Sequence, residues 1–135
     1  MYQKVGAPMK RLLINMRNCL FADSIEQALK RENIDFETYR VNEPDEVIQT
    51  NAWFMPYAVL KEVARIPQFT VSERIRIAEK VKEENPECKI ILIVDENTDK
   101  EVADDVRQTK KDGLIDEFIF TSISSSYLVA ILDAV

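Results

Sequence analysis

Histidine is absent from the 135 residues, and glycine occurs only at Gly6 and Gly113. Without histidine there is no Ser-His-Asp or Cys-His couple, no histidine zinc ligand and no phosphohistidine relay site. So few glycines exclude a phosphate-cradling GxxxxGK loop and a GxGxxG dinucleotide fingerprint. Cysteine is scarce too. Cys19 and Cys88 lie far apart and outside any CxxC, so reduced thiols without a chemical role are expected. No apolar run approaches the roughly 18 residues that a membrane span needs. The opening MYQKVGAPMK lacks an apolar stretch followed by a small-residue cleavage site, so no secretory signal is expected and the predicted location is the cytoplasm.

Hydrophobic residues make up 46% of the chain and charged residues 31%, the balance of a globular domain. The length suits one core, with residues 1–9 as a short extension and residues 10–135 as the domain. The net charge is -6, and Lys and Arg are interleaved with Asp and Glu. No basic stripe is available to neutralise a phosphate backbone, so direct nucleic-acid binding is not expected.

Strand-length apolar runs alternate with helix-period segments, the pattern of a parallel sheet covered on both faces. The predicted strands are Arg11 to Met16, Phe36 to Val41, Tyr57 to Val63, Lys89 to Val94 and Phe118 to Phe120. Leu12 to Ile14 and Ile90 to Val94 are continuously apolar, as strands buried on both faces should be. Asp23-x-x-Glu26, Thr70-x-x-Glu73 and Thr98-x-x-Glu101 read as capping boxes, which predicts helices over Ser24 to Glu32, Val71 to Glu84 and Asp99 to Lys111. A short helix near Pro44 to Asn51 and a last one near Ser125 to Ala134 complete the set. Ile25, Ala28 and Leu29, then Val71, Ile75, Ala78 and Val81, then Val102 and Val106, recur at core-facing spacing. Gly113 stands where a helix commonly ends in the left-handed conformation.

This alternation predicts a flavodoxin-like doubly wound sheet of strand order 2-1-3-4-5, with its crevice at the carboxyl ends of the strands. The local sequence then resembles one family. KRLLINMR is similar to the first strand of a bacterial response-regulator receiver domain, MPYAVLKEV to its third strand ending in the phospho-acceptor, NPECKIILIV to the approach to its fourth, and KDGLIDEFIFTS to its glycine, acidic residues, aromatic and closing strand. The resemblance spans about Lys10 to Val135 and implies a signalling role.

At the functional positions the chain departs from the family. The acidic pair that holds magnesium falls on Met16 and Arg17, the phospho-acceptor aspartate on Glu62, the fourth-strand Ser or Thr on Val94, and the fifth-strand lysine on Thr121. Phosphoryl transfer to a carboxylate relies on a metal and cationic groups to stabilise the developing charge. The departures therefore imply a degenerate receiver that needs no cofactor and acts through protein contacts. Glu62 would be a fixed negative charge, with Arg17 either its ionic partner or, like Glu62, a solvated strand-end residue.

Other groups carry two readings each. Glu62, Asp95 and Glu96 could gather as a cation or acid/base site, or Asp95 and Glu96 could form a solvated turn. Asp104, Asp105, Lys110 and Lys111 read as an exposed helix face, and Ser122, Ser124, Ser125 and Ser126 as capping residues. Trp53, Phe54, Met55 and Tyr57 are expected to be buried, or else to mark a contact surface. In receiver-like domains the face made by the fourth helix, fifth strand and fifth helix pairs subunits. Here it would carry Val106, Phe118, Phe120, Tyr127 and Ile131 and serve a homodimer or another signalling protein. The alternatives are a small enzyme or ligand-binding domain using a crevice lined by Asn15, Glu62 and Asp95, and a receiver that still accepts phosphate at an atypical carboxylate.

Overall fold

The computed structural model describes residues 10–32, 36–95, 97, 100–122 and 125–135. The strands are β1 (Lys10–Asn15), β2 (Phe36–Val41), β3 (Ala58–Glu62), β4 (Lys89–Val94) and β5 (Glu117–Phe120). The helices are α1 (Cys19–Arg31), α2 (Glu46–Phe54), α3 (Val71–Glu84), α4 (Lys100–Lys111) and α5 (Ser125–Ala134), with a 3₁₀ turn at Pro67–Phe69 before α3. The strands form one sheet in the order β2-β1-β3-β4-β5 with every neighbouring pair parallel, as the alternation predicts. Residues 1–9, the proposed extension, lie outside the described residues.

Side chains along a strand point alternately to opposite faces, so the continuously apolar central strands serve two cores at once. Leu12 and Ile14 of β1, Leu60 of β3 and Ile91 and Ile93 of β4 pack with Ile25, Ala28 and Leu29 of α1 and Leu128 and Leu132 of α5. Leu13, Val59, Ile90, Leu92 and Val94 face the other way, onto Val47, Ile77, Val81 and Val106 of α2, α3 and α4.

Two helices differ from the sequence expectation in where they begin or end. α1 begins at Cys19 rather than Ser24, capped by Asn18, whose side chain accepts a hydrogen bond from the Phe21 amide at 3.0 Å. Asp23 and Glu26 instead bind Arg40 of β2, and Glu26 also accepts a bond from the Thr38 hydroxyl. Burial pushes the Glu26 carboxyl up, but Arg40 and Thr38 outweigh it and hold the group below its usual value. α2 runs on through Phe54 and ends at Met55, which takes the left-handed conformation at φ 46°.

Thr70 caps α3 as expected, accepting from the Glu73 amide, and Gly113 has the predicted positive φ of 76°. The inner face of α3 is nonetheless rotated from the expected stripe. Arg74, Ile77, Ala78 and Val81 are buried, while Val71 and Ile75 are only half-buried. The aromatic group also divides: Phe54 is buried, but Trp53 is 60% exposed and packs edge-on against Tyr39 with ring centroids 5.2 Å apart. The default expectation of burial therefore fails at Trp53, because α2 turns its indole towards solvent beside the edge strand β2.

Candidate functional site

The chain leaves β1 for β2 on one side of the sheet and returns to β3 on the other, so the loops after β1 and β3 part and leave a crevice between them. Glu62, the last residue of β3, reaches across it. Its Oε1 accepts hydrogen bonds from the backbone amides of Arg17 at 2.5 Å and Asn18 at 3.3 Å. These amides lead into α1, so the carboxylate lies at the positive end of that helix and satisfies donors that have no partner within it.

A second set of bonds lies beneath. Arg74 of α3 is fully buried and its guanidinium closes a fork over both strand ends. Nε donates to the Glu62 carbonyl at 2.8 Å, Nη1 to Asn15 Oδ1 at 2.5 Å and Nη2 to the Asn15 carbonyl at 3.2 Å. The buried Asn15 amide donates in turn to the carbonyls of Val41 and Asn42, tying in the loop after β2. The Phe69 ring covers the guanidinium, with its centroid 4.3 Å away. Burial lowers the Arg74 pKa to about 10, against a smaller opposing pull from Glu62.

Lys61, one residue before Glu62, points to the α3 face and is also fully buried. Its Nζ donates to the Arg74 carbonyl at 3.1 Å. Burial first, then the neighbouring Arg74 charge, holds this amine well below its ordinary value. The site thus rests on two buried basic side chains that sequence reasoning passed over. The available signals were a lysine inside the apolar run AVLKEV and an arginine on the same helix face as Ile77, Ala78 and Val81.

Solved structures share this architecture. The CheY-like receiver domain of Methanospirillum hungatei superposes with a TM-score of 0.69 at 17% identity, covering 93% of this chain and 92% of its own. The N-terminal domain of the nisin resistance regulator NsrR matches with a TM-score of 0.71 at 19% identity over 94% of this chain and 97% of its own. A redox sensor from the streptococci, of a family evolved from two-component response regulators, matches with a TM-score of 0.72 at 16% identity over 93% of this chain and 50% of its own. The fold is that of a receiver domain. No family model and no curated protein matches the sequence, and at these identities the likeness is one of fold.

In receiver terms, the positions picked from sequence fall in different places. Glu62, Thr121 and Asp95 line one small hollow of about 100 Å³ with Met16, Asn18 and Ile93. Met16 is buried in the α1-side core and Arg17 is exposed. Among the described residues the Arg17 guanidinium makes no ion pair with Glu62; its backbone amide is the partner, because the carboxylate is drawn to the start of α1. Val94 sits in the core on the α3 face, since strand alternation turns it away from the hollow. Asp95 accepts from the Asn97 amide in a local turn, and Glu96 lies outside the described residues. Asn15 is committed to the Arg74 fork, so it does not line an open crevice as the enzyme alternative requires.

The residues here do not fit the magnesium ion of an orthodox receiver. Such an ion needs several oxygen ligands in octahedral array. Met16 offers a buried thioether, Arg17 a cation, and the Glu62 Oε1 is already held by two amides. Among the described residues no group of three His, Cys, Asp or Glu side chains could hold a metal ion.

On the expected interface, Tyr127 is 57% exposed and Phe118, Phe120 and Ile131 are half-buried. Val106 is fully buried beneath α4 and cannot contribute a contact, because its helix face looks onto β4. Among the described residues, no helix is long and apolar enough to cross a membrane.

Proposed function

We propose that this chain is a receiver-like regulatory module that works without phosphorylation, by contact with another protein or a second copy of itself. The observation that carries this reading is the state of Glu62. Its carboxylate is bonded to the start of α1, Met16 and Arg17 stand in place of the first-strand acidic pair, and the fifth-strand position is the neutral Thr121. Attack on a phosphodonor by the other carboxylate oxygen would proceed with no first-strand acidic pair to hold a metal and no fifth-strand lysine to stabilise the transferred charge.

The same bonds support a module held in one state. Glu62 and Arg74 link α1, β1, β3, α3 and the loop after β2. The exposed Tyr127, with Phe118, Phe120 and Ile131 beside it, supplies the aromatic and aliphatic side chains of a contact face. The streptococcal redox sensor is a precedent for a protein evolved from two-component response regulators that is described by another role, redox sensing.

Incubation with acetyl phosphate and magnesium, followed by intact mass, is the test. The expected spectrum shows the unmodified chain only. A phosphoryl adduct that disappears in Glu62→Gln would overturn the proposal.

A further inference from the structure

β2 is an edge strand. Among the described residues β1 is its one strand neighbour, and no backbone group of a loop or helix is hydrogen-bonded to it. Such an edge presents free N–H and C=O groups beside which an extended chain can be laid. Its two faces are unlike. On the α1 side Phe36 packs against the core, while Thr38 and Arg40 are held by Glu26 and Asp23. On the α2 side Tyr39 is 43% exposed.

The rings of Tyr39 and Trp53 each lie 5.7 Å from that of the buried Phe54, so the pair is anchored on the core while remaining open to water. Met55 follows, 46% exposed and in the left-handed conformation that helix ends usually give to glycine. A methionine there bears a steric cost, and so exposed a side chain does little for the packing of its own chain. The charge beside this apolar edge has one sign. Between Val41 and Leu60 there is no lysine or arginine, whereas Glu43, Asp45 and Glu46 are exposed where the chain passes from β2 into α2. Arg76 lies 3.7 Å from Asp45, but Glu43 has no cationic partner among the described residues. An apolar edge with a negative end favours a positively charged segment over an anionic one.

We infer that this edge takes up an extended, lysine- or arginine-bearing segment of a partner protein, which adds a strand beside β2, sets aliphatic side chains against Tyr39, Trp53 and Met55, and brings its cations to Glu43, Asp45 and Glu46. β2 and β5 are opposite edges of the sheet, so this surface is distinct from the Tyr127 face. Neither reading depends on the other.

A heptapeptide of alternating lysine and valine, titrated with the full chain and followed by fluorescence anisotropy of a label on the peptide, forms the test. Binding should saturate, and the unlabelled peptide should shift Trp53 emission to the blue. Exchanging its lysines for glutamates, its valines for serines, or methylating alternate backbone nitrogens should each weaken it by about tenfold or more. Trp53→Ala should also cost about tenfold. Met55→Gly removes the apolar side chain and relieves the left-handed backbone, so it should weaken binding without lowering the denaturation midpoint. No saturable binding, equal binding of the glutamate or N-methylated peptide, or affinity unaltered by both Trp53→Ala and Met55→Gly would each overturn the assignment. So would a blue shift of Trp53 emission that grows with protein concentration alone, which would give the edge to a second copy.

Discussion

The Glu62 carboxylate is held by the main chain of Arg17 and not by its guanidinium: Oε1 lies 2.5 Å from the Arg17 amide nitrogen. The residue that the sequence suggests as an ionic partner thus contributes only its backbone, which every substitution except proline retains. Arg17→Ala should therefore change stability by no more than about 0.5 kcal/mol. Glu62→Ala should cost on the order of 1 to 2 kcal/mol, as expected for loss of a helix N-terminal acceptor. Urea denaturation of both single variants and the double variant should give a coupling energy near zero. A substantial coupling would mean that the two side chains do pair.

Removing Arg74 should be the most damaging single change near the site. Arg74→Met leaves the buried Asn15 Oδ1 without its donor and strips the Glu62 and Asn15 carbonyls of theirs, at a cost of about 3 kcal/mol or more. Arg74→Lys keeps a positive charge but not the planar fork, and it should recover only a minority of that loss. Denaturation midpoints would decide, and full recovery in Arg74→Lys would show that charge rather than geometry matters.

Lys61 makes stability depend on pH. Because burial holds its folded pKa well below 10.5, unfolding takes up a proton wherever the pH lies between those two values. Stability should then fall as pH drops from 10.5 through that window and level off below the folded value. Arg74, lowered to about 10, adds the same trend at the upper end. Lys61→Met should flatten the curve and raise stability at pH 7 by about 1 kcal/mol or more, since an apolar chain replaces a buried amine. Thermal melts of both proteins between pH 7 and 10 would test the slope. A parallel pair of curves would contradict the assignment.

Trp53 is the only tryptophan, which makes its exposure directly measurable. Acrylamide should quench the native protein nearly as well as the unfolded one, and Trp53→Ala should cost less than about 1 kcal/mol. Strong protection from quenching would instead place the indole in an interface.

The strand order was legible because doubly buried strands announce themselves by unbroken hydrophobicity, as Leu12 to Ile14 and Ile90 to Val94 do. The start of α1 was not. Asp23 and Glu26 have the spacing of a capping box, yet their carboxylates serve Arg40, and only the fold reveals which competitor for a carboxylate wins. The inner face of α3 departs from the expected stripe for a related reason, since an arginine at a core position breaks the rule by which core faces are found. Arg74 is tolerated there because three acceptors from β1 and β3 converge on it, and that convergence exists only in three dimensions. Glu62 was singled out from sequence, but its partner could not be, because backbone amides leave no trace in the residue types.

The two thiols have opposite surroundings. Cys19 stands exposed at the first position of α1, whereas Cys88 is buried before β4, where loss of solvent pushes its pKa up to about 12. An alkylating reagent should therefore modify Cys19 within mixing time and reach Cys88 only when the sheet opens. With Cys19→Ser in hand, the slow incorporation of a single label becomes a clock for the opening of the molecule, read without denaturant.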